Sequence, residues 1–233
     1  NKVSVDERMV HDIVQKVMAN MQISGSVSGM HGVFKDMNDA INASIEAQKK
    51  VCTMTLDQRE QIISLIRKKT HENAEILANM GVNETGMGNV GDKILKHHLT
   101  ADKVPGTEDI STIAWSGDRG LTLVEMGPFG VIGAITPATN PSETVICNCI
   151  GMLAGGNTVV FNPHPNAKKT TIYTINMINE ASIEAGGPDN IAVTVEAPTL
   201  DTSAIMMKHP SIHLLVATGG PGVVTAVLSS GKR

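Results

Sequence analysis

The sequence predicts an α/β fold, a doubly wound parallel sheet preceded by an amphipathic helix. Three observations carry this expectation. Short β-rich runs recur from Leu121 onward, at 121–126, 131–135, 158–161, 191–195 and 212–217. Between the later runs lie stretches of helix length, at 142–154, 167–185, about 199–208, and one opening near Pro221; strands alternating with helices at this spacing build right-handed βαβ units. Finally, 233 residues with 41% hydrophobic and 18% charged are a globular composition, long enough for one sizeable α/β core or two small domains.

The elements follow in order. Val10, Ile13, Val14, Val17, Met18 and Met21 fall on one helical stripe, with Asp6, Glu7, Asp12, Gln15, Lys16 and Asn20 on the other face. Ser4 and Glu7 have capping-box spacing. The run Ile23-Ser-Gly-Ser-Val-Ser-Gly29 has the composition of a flexible linker. A tethered helix of this kind can dock away from the main body; the alternative is a helix packed on its own domain. Residues 32 to about 80 read as helical without strand alternation. Thr55 or Asp57 is a plausible N-cap for a long helix through Ile62, Ile66 and Leu77, and Gly81 a natural stop. Residues 84–120 give little periodic signal. Gly186-Gly187-Pro188 ends the helix over 167–185, and Pro221 suits the first turn of the last one.

Charge narrows the function classes. Lys and Arg total 19 against 23 Asp and Glu, a formal charge of −4, with one Trp, one Tyr and three Phe. Without a basic excess or stacking platforms, the chain is not expected to bind nucleic acid. Asn148, Gly155, Gly156, Asn157, Pro163 and His164 interrupt the longest charge-free run, and no membrane span is expected. No basic run followed by an apolar one opens the chain, and no secretory signal is expected. Cys52, Cys147 and Cys149 form no disulfide framework, which fits a reducing compartment. Cys147 and Cys149 lie roughly 200° apart on a helix and cannot share a metal. Both sit in an apolar stretch, where cysteine is usually a small buried hydrophobe. His97 and His98 are adjacent and point apart, and no metal site is expected.

In an open parallel sheet, chemistry belongs at the carboxyl ends of the strands. After 131–135, two prolines bracket Asn140, and Ser142 could cap the following helix. A rigid Asn amide there suits donation to a developing oxyanion; alternatively, it satisfies a local turn. The loop Asn162-Pro163-His164-Pro165-Asn166 is preformed by proline and could line a groove for an adenosine or pantetheine chain. His164 could be a base or ligand there, or simply solvated. Thr218-Gly219-Gly220-Pro221-Gly222 leads from strand into helix, bringing backbone amides near an anion such as a pyrophosphate. It is not the G-x-G-x-x-G fingerprint.

Taken together, GPFGVIGAITPATNP, AGGNTVVFNPHPNAKK and LLVATGGPGVV, in this order and spacing, resemble the aldehyde dehydrogenase superfamily. The likeness is greatest to its CoA-acylating branch, the ethanolamine- and propanediol-utilisation aldehyde dehydrogenases of bacterial microcompartments. Asn83-Glu84-Thr85-Gly86 is similar to a motif of the family's N-terminal helical region. The resemblance implies an NAD- and CoA-binding domain over 32–233, with part of an oligomerisation segment around 110–127. It further implies a targeting helix over 1–22 and a flexible linker over 23–31.

By the same resemblance, Asn140 stabilises the oxyanion. The backbone of Thr136, Pro137, Ala138 and Thr139 lines the nicotinamide end, and Thr218, Gly219, Gly220 and Val223 cradle the pyrophosphate. Asn162 and Pro165 stand where hydrolytic members grip the ribose with Lys and Glu. The Asn162-Pro163-His164-Pro165 form is similar to the acylating enzymes, whose pocket admits both NAD and CoA. The nucleophilic cysteine is implied to lie beyond Arg233, so residues 1–233 alone are expected to be inactive. The implied reaction takes a small aldehyde, CoA and NAD to acyl-CoA and NADH. Rival expectations are a hydrolytic aldehyde dehydrogenase and a non-catalytic nucleotide-binding module tethered to a protein shell. The implied partners are further copies of the chain and, through residues 4–21, a shell protein of a cytoplasmic microcompartment.

Overall fold

The computed structural model describes residues 29–233. The helix expected over 1–22 and the linker up to residue 28 lie outside the described residues. The core is a five-stranded sheet of β1 (Val33–Phe34), β4 (Val131–Thr136), β5 (Thr158–Pro163), β6 (Ala192–Val195) and β7 (Ile212–Ala217). Its order is β1-β6-β5-β4-β7 and every pairing in it is parallel. Helices α4 (Pro141–Ala154), α5 (Lys168–Glu184), α6 (Leu200–Lys208) and α7 (Pro221–Leu228) connect or follow its last four strands. The expected doubly wound architecture is present.

Two apolar layers explain why the sheet is covered on both faces. Val159, Phe161 and Ala192 point into a core shared with Ile62 and Ile66, Val145 and Ile150, and Ile175 and Ile178. Val160, Val193, Val195 and Leu215 point the other way, onto Phe34, Met37, Ile41, Met206 and Val227. Side chains alternate across a strand, so the near-continuous apolar runs of these strands feed both layers.

The helical region before β4 departs from expectation in three places. A two-residue strand, β1, precedes the first helix, α1 (Met37–Val51), and pairs Val33 with Thr194. Gly32 makes this edge possible: at φ +74°, a Cβ there would lie 2.4 Å from the Ala192 carbonyl oxygen. Thr55 caps α2 (Leu56–Thr85) in a capping box with Gln58, as expected. Gly81, however, does not stop this helix. The helix runs on to Gly86, which takes the left-handed conformation at φ +68°. The third departure is α3 (Val90–Lys103), an amphipathic helix in the stretch that had little periodic signal.

The run at 121–126 does not join the main sheet. It forms β3 (Gly120–Val124), paired antiparallel with β2 (Ile113–Gly117) in a separate hairpin. The physical reason is length. Only a short segment separates Val124 from Val131, whereas a parallel crossover needs about a dozen residues. No helix among the described residues is long and apolar enough to cross a membrane.

Candidate functional site

The strand order reverses beside β4: β5 and β6 lie to one side, and the chain then returns to place β7 on the other. Such a switch point opens a crevice outside the carboxyl ends of the strands. Thr136, Pro137 and Ala138 leave β4 into this crevice, Asn162 to Pro165 leave β5, and Thr218, Gly219 and Gly220 leave β7. With Thr199, Leu200, Ser203 and Met207 of the α6 side, and Gly222, Val223 and Ala226 of α7, they line one cleft of about 410 Å³. A larger hollow of about 560 Å³ runs along α2 between Glu75 and Glu84, away from the strand ends.

The cleft has two kinds of wall. Ile135, Pro137, Pro163, Pro165, Leu200, Met207 and Val223 supply apolar surface. Leu200 is 89% exposed. At the β7 end, the amides of Gly219, Gly220 and Gly222 have no hydrogen-bond partner among the described residues. They surround the N-terminus of α7, whose dipole favours an anion. A Cβ on Gly220 or Gly222 would meet nothing within 4 Å, so both backbones face open space. Thr136 Oγ1 is buried without a hydrogen-bond partner. A dinucleotide, with apolar rings and a pyrophosphate, fits this donor set.

The structure brings together all but two of the residues expected at the site. Thr139 does not line the cleft as expected: its side is exposed, and its carbonyl accepts from Lys93 Nζ at 2.9 Å. Asn140 lies one residue further, at the N-cap position of α4, and makes no capping bond. Its Oδ1 accepts from Lys96 Nζ at 3.3 Å, which leaves the amide N–H groups as the free side. Ser142 does not cap α4. It is buried in the first turn, with Oγ 2.7 Å from His97 Nε2. Asn162 is braced: Oδ1 accepts from Thr202 Oγ1 at 2.7 Å, and Nδ2 donates to the Thr199 carbonyl at 3.4 Å. His164 is exposed, and its Nδ1 accepts from the Asn166 amide at 3.1 Å.

The aldehyde dehydrogenase family's sequence pattern matches residues 15–233. The chain belongs to the aldehyde dehydrogenase family. Among its relatives, an acetaldehyde dehydrogenase (acetylating) of Bilophila wadsworthia is 46% identical over 227 residues, covering 94% of this chain and 46% of that protein. A propionaldehyde dehydrogenase from the Clostridium phytofermentans fucose utilisation bacterial microcompartment is 73% identical, with a TM-score of 0.86. That match covers 87% of this chain and 47% of the other. A Rhodopseudomonas palustris propionaldehyde dehydrogenase with bound propionyl-CoA is 48% identical, with a TM-score of 0.84, over 87% of this chain and 45% of that one. The chain spans about half the length of the curated relatives it matches.

In this aldehyde dehydrogenase chain, only one of the two cysteines of α4 is buried as the sequence suggested. Cys149 is buried in the core, and burial pushes its thiol far up from the ordinary range. Cys147 is half-buried, and burial raises its thiol as well. Sequence reasoning missed a buried polar group behind the Asn140 loop. Lys93, His97, Ser142 and Glu143 are all buried there. Lys93 Nζ lies 3.2 Å from Glu143 Oε1, and Ser142 Oγ lies 3.2 Å from Glu143 Oε2, its one proton shared between that carboxylate and His97 Nε2. Burial pushes the His97 imidazole below its ordinary range, partly offset by the Glu143 carboxylate. The available signal was the spacing of Lys93, Lys96 and His97, which puts all three on one face of a helix.

Proposed function

We propose that the full-length protein is a CoA-acylating aldehyde dehydrogenase acting on a small aldehyde. The observation that carries this reading is the single cleft at the switch point, shared by the β4, β5 and β7 loops. Gly219, Gly220 and Gly222 would hold the pyrophosphate of NAD, and Thr136 to Ala138 would face its nicotinamide. Bound NAD supplies the hydride acceptor. Asn140, with its oxygen tied to Lys96, presents N–H donors to the oxyanion that forms when a thiolate attacks the aldehyde. Cys147 and Cys149 are not assigned as that thiolate, because both lie within α4 and neither lines the cleft. By family resemblance, it lies beyond residue 233.

The β5 loop favours CoA over water as the acyl acceptor. Positions 162 and 165 carry no Lys or Glu, and the Asn162 side chain is already committed to α6. This leaves the adenosine end loosely gripped, as suits a cleft that admits NAD and CoA in turn. The relative with bound propionyl-CoA supports the same reading. The test is incubation of the full-length protein with acetaldehyde or propionaldehyde, NAD and CoA. Acyl-CoA should appear in step with NADH, and Asn140→Ala should lower kcat by about 10²–10³ with little change in NAD affinity. Free acid formed at the same rate without CoA would favour the hydrolytic reading.

Two further parts of the reading concern partners. The hairpin β2–β3 exposes Ile113, Trp115, Leu121 and Leu123, and a lone two-stranded hairpin is marginal in water. We assign it to contact with further copies of the chain. The amphipathic spacing over residues 4–21 supports helix-in-groove docking on a shell protein. The microcompartment source of a 73% identical relative supports the same compartment for this protein, within the cytoplasm.

A further inference from the structure

Helix α3 lies against the Asn140 loop and touches it at consecutive points. Lys93, Lys96 and His97 project from one face of α3. Lys93 Nζ holds the Thr139 carbonyl at 2.9 Å and the Glu143 carboxylate at 3.2 Å. Lys96 Nζ holds Asn140 Oδ1 at 3.3 Å. His97 Nδ1 is turned to its own helix, donating to the Lys93 carbonyl at 2.7 Å, while Nε2 meets Ser142 Oγ at 2.7 Å. The carbonyl, side chain and first helical turn around Asn140 are therefore all fastened to one neighbouring helix.

The burial of this cluster asks for a reason beyond stability. The Lys93 and Glu143 side chains are only 4% and 8% exposed. A buried ion pair gives back little net stability, because desolvating both charges offsets their attraction. Its gain is geometric: an ammonium shared between one carbonyl and one carboxylate admits few arrangements of the loop. Asn140 has no capping bond of its own and a non-helical backbone at φ −139° and ψ 68°. Its orientation is thus set from outside. The ammonium of Lys96 also decides which end of the amide faces it, since an ammonium donates and only Oδ1 accepts.

We propose that Lys93 and Lys96 are positioning residues for the reaction, fixing the Asn140 peptide and aiming its amide N–H groups at the oxyanion. The proposal rests on the oxyanion reading of Asn140 given above. A donor displaced by about an ångström loses much of its effect, which can lower the rate by about a hundredfold.

The test uses the full-length protein. Lys96 is exposed, so Lys96→Met should fold normally, lower kcat by about tenfold or more at unchanged melting temperature and NAD affinity, and recover with Lys96→Arg. The pair Lys93→Met with Glu143→Gln removes both buried charges together and avoids stranding either one. It should keep the fold while lowering kcat by about a hundredfold, and its crystal structure should show the Asn140 side chain displaced. An unchanged kcat in Lys96→Met overturns the proposal, as does a loss that Lys96→Arg fails to restore. If Asn140→Ala itself leaves kcat unchanged, the oxyanion reading fails instead, so the two failures are distinguishable.

Discussion

Glu84 Oε2 accepts hydrogen bonds from both the amide and the hydroxyl of Thr170, each at 2.7 Å, across 86 residues of sequence. Its other oxygen accepts from the Lys169 amide at 2.7 Å. Helix α5 has Ala167 at its N-cap position and no capping bond from it. The carboxylate from the end of α2 therefore caps α5, satisfying orphan amides and complementing the positive helix end. Glu84→Ala should cost about 1–2 kcal/mol in urea unfolding of the chain, with Glu84→Gln between it and wild type. A loss below about 0.5 kcal/mol would show that water replaces the cap.

The buried imidazole of His97 ties stability to pH. Burial lowers its proton affinity in the folded state, while the unfolded chain titrates near the ordinary value of about 6.5. Above that value both states are neutral at this site and it contributes no pH dependence. As pH falls through it, the unfolded chain takes up the proton first, so stability declines until the folded imidazole also titrates. The melting temperature should fall between about pH 7 and about pH 5, and His97→Gln should lessen that fall. An identical slope in the variant would place the pH dependence at other groups.

Charge on the hairpin should separate assembly from folding. Leu121 and Leu123 are 64% and 60% exposed, so a polar replacement disturbs no core of the chain itself. Leu121→Glu combined with Leu123→Lys should lower the molar mass of the full-length protein by light scattering. Secondary structure should be unchanged by circular dichroism. An unaltered mass would move the contact between copies to another face.

Deleting residues 1–22 should leave the melting temperature nearly unchanged and abolish co-sedimentation with shell proteins. A helix with the apolar spacing of Val10 to Met21 would need a groove, since a helix this short is marginal alone in water. A drop of several degrees on deletion would mean that the stripe packs on the domain, and the docking assignment would fail.

What the sequence determined by itself was the alternation that builds the sheet and the loops at its carboxyl edge. The runs at 131–135, 158–161, 191–195 and 212–217 each contain or overlap a parallel strand. Their signals are local: apolar runs of strand length, glycine and proline at the joints, and a helix between. Tertiary structure decided the features whose partners are distant. β1 is two residues long, too short for any period, and exists because Gly32 lets it approach β6. The 121–126 run looked like the other strands, but its short connection to β4 excluded it from the parallel sheet. Lys93 and Glu143 stand 50 residues apart and show nothing in their own neighbourhoods of the pair they form. Asn140 was legible from its bracketing prolines. The direction of its amide was not, because that depends on an ammonium delivered by a helix elsewhere in the chain.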